Sequence, residues 1–192
     1  MMKHGGDAIT VLTMDHREVE ETFAELERLR GTGQDDRRRE LTEKVIIELV
    51  GHSVAEEAYL YPAARAFIPD GDRLADREIA EHAQAERLMK QLEKALDDGV
   101  TAPAFEGLLD DLMATIREHI KDEEAHLFPE LVRYADAEEL AALGKKITMM
   151  KKLGPTRPHP AAPDRPPANK LLAPGAGLVD RIHDLFTGRG KT

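Results

Sequence analysis

Apolar residues return along this chain at alternating steps of three and four, the spacing that lines one face of a helix. The first such seam reads Ile9, Leu12, His16, Val19, Phe23 and Leu26. The second reads Leu41, Val45, Leu49, His52, Glu56, Tyr59 and Ala63. The third reads Ala75, Glu78, His82, Ala85, Met89, Leu92 and Leu96, and the fourth Leu109, Leu112, Ile116, His119, Glu123 and His126. In each seam a histidine stands where an aliphatic residue belongs. In two of them the seam itself continues with a glutamate at i+4, Glu56 and Glu123.

Capping and breaking residues divide the chain into helices that carry these seams. Asp7 caps the first, which runs to about residue 30 and stops at Gly31-Thr32-Gly33. The second spans about 36–68, bends at Pro62 and ends in Pro69-Asp70-Gly71-Asp72. Asp72 caps the third, which ends near Asp98-Gly99. The fourth starts near Pro103 after a Thr101 cap and runs to about residue 135, with a bend at Pro129. Asp136 and Glu139 form a capping box for a short fifth helix ending near Lys152. The expected fold is all-α: an antiparallel up-down-up-down four-helix bundle with a short fifth helix and a Pro-rich C-terminal tail.

Composition supports this and narrows the function. The 192 residues are 41% hydrophobic and 33% charged but only 4% aromatic, without tryptophan, which suits helices better than a strand sandwich. The net charge of −10 argues against a nucleic-acid or anionic-membrane surface. No apolar run approaches the roughly 20 residues of a membrane span, and the N-terminus lacks the apolar core of a secretory signal. A cytoplasmic location is expected. Cysteine is absent, which excludes disulfides, thiolate metal ligands and a cysteine nucleophile. Seven of the 11 prolines fall after residue 152, so two parts are expected: residues 1–152 as the bundle and 153–192 as an extension. In the extension, Leu178, Ile182, Leu185 and Phe186 share one helical face that suits docking on the bundle or on a protein partner. Residues 153–192 carry six Lys/Arg against three Asp/Glu, leaving a charge of about −13 on the bundle.

The buried polar residues carry the chemistry. Neighbours equally distant from a connecting loop lie at one height in an up-down bundle. His16, His52, Glu56, His82, His119 and Glu123 agree to about one turn at ~1.5 Å per residue. Unpaired buried carboxylates or imidazolium ions cost several kcal/mol each. Six in one layer would consume most of a domain's ~5–15 kcal/mol of net stability. Mutual His–Glu pairing offsets part of that, and metal ions offset it better. Four imidazoles and two carboxylates suit iron or another first-row metal, with carboxylates able to bridge two ions.

The pattern H…HxxxE…H…HxxxE, with Tyr61-Pro62 and Phe128-Pro129 after each HxxxE, resembles the hemerythrin-like HHE cation-binding domain. The resemblance covers about residues 7–150, and the tail looks like the extension of many actinobacterial members. It implies a cofactor of two non-haem iron ions, oxo- or hydroxo- and carboxylate-bridged. His16, His52, His82 and His119 would be terminal ligands, and Glu56 and Glu123 bridges. Oxygen-carrying hemerythrins have a further histidine one turn after the third-helix ligand, where this chain has Glu86, and HxxxxD in the fourth helix. The resemblance is therefore closer to members that reduce peroxide, handle nitric oxide, or sense or supply iron. The iron-centre repair branch adds a cysteine-containing N-terminal module, and this chain has no cysteine.

Two functions follow from this. One is an oxidoreductase that decomposes peroxide, with Tyr59 as a proton or electron donor. The other is a non-enzymatic carrier, sensor or buffer for dioxygen, nitric oxide or iron. Tyr59, His126 and Glu78 are expected in the layer next to the ligands, as hydrogen-bond partners, with His126 and Tyr59 also candidate ligands. Glu86, at i+4 from His82 but on the flank of its seam, is a candidate extra ligand, against a solvated or salt-bridging flank residue. Glu57 and Glu81 are expected on the surface, as are His4, His159 and His183. Met89, Met113 and the leucine stripes are core packing.

Overall fold

A computed structural model describes residues 6–101, 103–159, 176, 177 and 180, and among these every regular element is helical. Most of the Pro-rich stretch lies outside the described residues. So do His4, His183 and the terminal face of Leu178, Ile182, Leu185 and Phe186. The helices are α1 (Ala8–Leu29), α2 (Asp35–Ala55), α3 (Tyr61–Phe67), α4 (Gly71–Asp98), α5 (Pro103–Asp122), α6 (Phe128–Tyr134) and α7 (Ala137–Leu153).

Local chemistry sets most of their ends. The Asp7 carboxylate accepts the Thr10 N–H at 2.8 Å at the start of α1, and Gly31 and Gly33 take positive φ values of 71° and 76° just past its end. The expected capping box on α7 is present: Asp136 accepts from the Glu139 N–H and Glu139 from the Asp136 N–H, both at 2.8 Å. The third helix begins earlier than Asp72 suggests. Asp70 is its N-cap, and Asp72 lies in its first turn, where the carboxylate takes up Arg65 at 2.8 Å.

The second and fourth helices are not simply bent at their prolines. Each opens into one π-helical turn, Glu56–Leu60 and Glu123–Leu127, before α3 and α6 resume. The cause is local. Pro62 and Pro129 offer no N–H to the carbonyl four residues back, and their rings press against it. The Tyr61 and Phe128 N–H groups instead reach back five residues, to the Glu56 and Glu123 carbonyls.

Two apolar clusters form the core. One gathers the N-terminal turns of α1 and α4 with α3, α6 and α7, through Leu12, Leu60, Tyr61, Ile79, Leu131 and Ile147. The other gathers the far ends of the long helices, through Phe23, Ile46, Met89, Leu92, Phe105 and Leu112. Burying each such side chain contributes about 1.5–3 kcal/mol. Between the clusters lies a layer of buried polar residues.

α7 packs on α1 and α2. A Cβ on Gly144 would stand 2.5 Å from the Gly6 carbonyl oxygen. Gly144→Ala therefore lifts α7 from the start of α1 and lowers stability by about 1–3 kcal/mol. A urea midpoint unchanged from wild type would show that this approach is not tight.

Candidate metal centre

Glu56 and Glu123 are fully buried, and His16, His52, His82 and His119 are nearly so. The six meet in the polar layer. Two groups of ligand atoms form, each within 4.8 Å: His16, His52, Glu56 and Glu123 in one, and Glu56, His82 and His119 in the other. Glu56 belongs to both. Glu123 is found in the first alone, an asymmetry that the matched HxxxE motifs do not show.

All four imidazoles are oriented in the same sense. His52 Nε2 lies 2.9 Å and His82 Nε2 3.3 Å from opposite oxygens of Glu56. His16 Nε2 is 3.4 Å from Glu123, and the Nε2 atoms of His82 and His119 are 3.3 Å apart. Every Nδ1 turns outward to a carboxylate: His16 to Glu124 at 2.8 Å, His52 to Asp15 at 3.2 Å, His82 to Glu57 at 3.0 Å, and His119 to Glu81 at 3.1 Å. A carboxylate that accepts the Nδ1–H hydrogen bond keeps the proton on Nδ1 and leaves the Nε2 lone pair facing inward, the arrangement that prepares a histidine for metal.

The inner atoms are poorly served by the protein alone. His16 Nε2, His52 Nε2 and both oxygens of Glu56 and of Glu123 are buried without a directed hydrogen bond. Left unpaired, each such atom would cost about 1–3 kcal/mol, and the contacts of Glu56 with His52 and His82 offset only part of that. A cation among them removes that cost, so the residues fit a metal.

Without metal the cluster holds protons instead. Burial pulls the His52 and His82 imidazoles down, but Glu56 with Asp15, and Glu56 with Glu57, overcome it and raise both to about 10. Burial likewise opposes charge on His119, and Glu78 with Glu81 raises it to about 9. The two central carboxyls diverge. Burial and the neighbouring Glu56 push Glu123 up, whereas His52 and His82 outweigh the burial of Glu56 and hold it well below the usual range.

The residues around the ligands differ from the sequence expectation, and the π turns explain why. In an α-helix Tyr59 and His126 would follow Glu56 and Glu123 on the inner face. With one more residue in the turn, positions i+5 take that place. Tyr61 is fully buried with its hydroxyl 2.9 Å from His82 Nε2, and Phe128 stacks on His16 with centroids 5.7 Å apart. Tyr59 turns into an apolar groove of about 340 Å³ between α3 and α7. The His126 side chain is 58% exposed and bonds the Asp122 carbonyl at 3.1 Å. Neither joins the centre.

Glu78 does lie beside it, fully buried and 3.1 Å from His119 Nδ1. Glu86 does not; its carboxylate accepts the His159 backbone N–H at 2.8 Å. Glu57 and Glu81 are not plain surface groups, since they orient His82 and His119. Nor is His159, whose ring meets Asp180 at 3.0 Å. Asp15, Glu124 and Tyr61 were not legible as partners from the seams. One signal was available: an acidic residue precedes His16 and His82, and a second glutamate follows Glu56 and Glu123.

Comparison with known proteins agrees with this geometry. The hemerythrin HHE cation binding domain profile matches residues 7–131. An uncharacterised hemerythrin-like protein of Schizosaccharomyces pombe is 26% identical over 173 residues, 90% of this chain and 82% of that protein. A protein of Nostoc sp. named DNA nickase is 30% identical over 118 residues, 62% of this chain, and the match spans about a third (31%) of that larger protein. No solved structure matches. With buried histidines and glutamates converging in a helical bundle, and the family profile covering most of its length, this chain belongs to the hemerythrin HHE cation-binding domain family.

Proposed function

We propose that the cluster holds two iron ions and that the protein decomposes peroxide. The observation that carries the reading is the convergence of four inward Nε2 atoms with the buried Glu56 and Glu123 carboxylates, each imidazole steadied from behind by an acid. His16, His52 and Glu123 would hold one ion, His82 and His119 the other, and Glu56 would serve both. Iron held there would supply electron exchange with a small oxidant. The four long helices then run alternately up and down, which their passage between the two apolar clusters supports.

The chain's own residues favour turnover over simple binding. Cleaving an O–O bond requires a proton at the departing oxygen. Tyr61 is placed for that, buried in the half that contains His82. Burial and the Glu56 carboxylate hold its phenol well above the usual value, so it is protonated at neutral pH. Were His82 Nε2 to hold a metal ion, the Tyr61 hydroxyl beside it would be free of that hydrogen bond and able to serve an oxidant as donor. Phe128, at the matching position in the other half, offers no such group. DNA chemistry is not carried over from the Nostoc relative, because a net charge of −10 gives no footprint for a phosphate backbone. We place the protein in the cytoplasm; no described helix is long and apolar enough to cross a membrane.

The test is metal content per chain with oxygen release on adding hydrogen peroxide. Two irons with sustained oxygen release support the reading. Two irons with a stable adduct and no turnover would make the protein a carrier or sensor of dioxygen or nitric oxide. Tyr61→Phe should keep both ions and lower turnover by about 100-fold, while Tyr59→Phe leaves it unchanged. Equal rates for Tyr61→Phe and wild type would remove the phenol from the chemistry.

A further inference from the structure

The two halves of the centre repeat one another, and they differ where repetition alone would not require it. His52-x-x-x-Glu56-Glu57 and His119-x-x-x-Glu123-Glu124 correspond, as do Asp15-His16 and Glu81-His82. The orienting bonds correspond too: Asp15 to His52 and Glu81 to His119, Glu124 to His16 and Glu57 to His82. Four residues before His16 stands Leu12, and four before His82 stands Glu78, both fully buried. Leucine therefore satisfies the packing of this position. Glutamate there needs another reason.

Glu78, Glu81 and His119 Nδ1 form a third group able to hold a cation, on the outer side of the His119 ring. His119 Nδ1 has a single proton, which hydrogen-bonds Glu81, and Glu78 Oε2 is left buried without a hydrogen bond. The place is already tenanted by a positive charge. Arg77 Nη2 sits 2.9 Å from Glu78 Oε1 and 3.2 Å from Asp122, its side chain 35% exposed. Exposure falls stepwise inward, from Arg77, Asp122 at 30% and Glu81 at 27% to Glu78 at 0%. On the matching side Asp15 is only 10% exposed and is sealed by Lys151 from α7.

We infer that Glu78 and Glu81 form an entry site for a divalent first-row cation, with Arg77 as its removable plug. This rests on the reading of the central groups as a metal centre and adds the route by which that centre is filled. Displacement of the Arg77 guanidinium frees the part-exposed Asp122 and Glu81 and, beneath them, the buried Glu78. A cation drawn between Glu78 and Glu81 then stands one imidazole ring away from the Nε2 atoms of the inner group. Movement of that ring admits it. Clustered carboxylates raise the local concentration of cations and so the rate of capture.

The experiment follows uptake of ferrous ion by the metal-free full chain under anaerobic conditions, by stopped flow, and measures final metal content at saturation separately. Glu78→Gln, which keeps the shape, should slow uptake by about tenfold. Glu78→Leu, which copies Leu12, should do the same and serves if the amide does not fold. Arg77→Ala should speed uptake by a similar factor. Opposite signs in the two variants are not expected of a merely structural role. Wild-type uptake rates in the Glu78 variants, or slower uptake in Arg77→Ala, would overturn the entry site. If wild type itself binds no metal at saturation, the central reading fails instead.

Discussion

Glu56→Ala is expected to empty both halves of the proposed metal centre, and Glu123→Ala only one. Glu56 alone contributes to both ligand groups, with one oxygen 2.9 Å from His52 Nε2 and the other 3.3 Å from His82 Nε2. Glu123 contributes to the group containing His16 and His52. Elemental analysis should read close to zero ions per chain for the first variant and close to one for the second. The Glu56 change also reaches the metal-free fold. Its carboxylate is the shared counter-charge for two imidazoles that are otherwise buried as cations, and removing one partner of such a pair costs about 3–5 kcal/mol. At the lower figure, a chain of this size loses roughly 6–12 °C in Tm. Equal metal content in the two variants would mean that the asymmetry between the glutamates does not govern loading.

Metal removal reverses the pH dependence of stability. In the metal-free protein His52 and His82 titrate near 10 and His119 near 9, all above the ordinary 6.5. The folded state binds these protons more tightly than the unfolded chain. Their contribution is therefore fully present below pH 6.5 and is lost as pH rises through about 9 to 10. Glu56, held low, acts at the other end: its contribution is present above 4.5 and is lost as pH falls through its depressed value. Metal-free Tm should thus decline from pH 6.5 to 10.

The loaded protein needs bare Nε2 atoms, so its binding tightens with rising pH and its Tm advantage widens over the same window. Loading near neutral pH should release about three protons, one each from His52, His82 and His119, readable with an indicator dye. A chelator-stripped protein whose Tm rises between pH 7 and 9.5 would contradict the assignment.

Much of this was legible in the chain. Helical seams depend on local periodicity, and caps such as Asp7 and the Asp136/Glu139 box act over three or four residues, so both could be read directly. The six central residues stood out because histidine and glutamate interrupt an apolar face. The prolines after each HxxxE marked the place where the helix changes, though not the kind of change. A bend keeps Tyr59 and His126 on the inner face; a π turn replaces them with Tyr61 and Phe128. Likewise Glu57, Glu81, Asp15 and Glu124 lie off the seams and look solvated along any single helix. They become partners because each reaches a histidine on a neighbouring helix.

By itself the sequence determined which segments are helical, which face of each is buried, and which six residues converge on a candidate metal centre. Only the tertiary structure decided that Glu56 is shared and Glu123 is not, that Tyr61 rather than Tyr59 meets the centre, and that Glu78 opens toward the surface where Leu12 closes. The reason is that periodicity specifies the direction of a side chain about its own helix axis. The distance to an atom on another helix depends on the rotation and height of both, and these are set jointly by packing across the whole bundle.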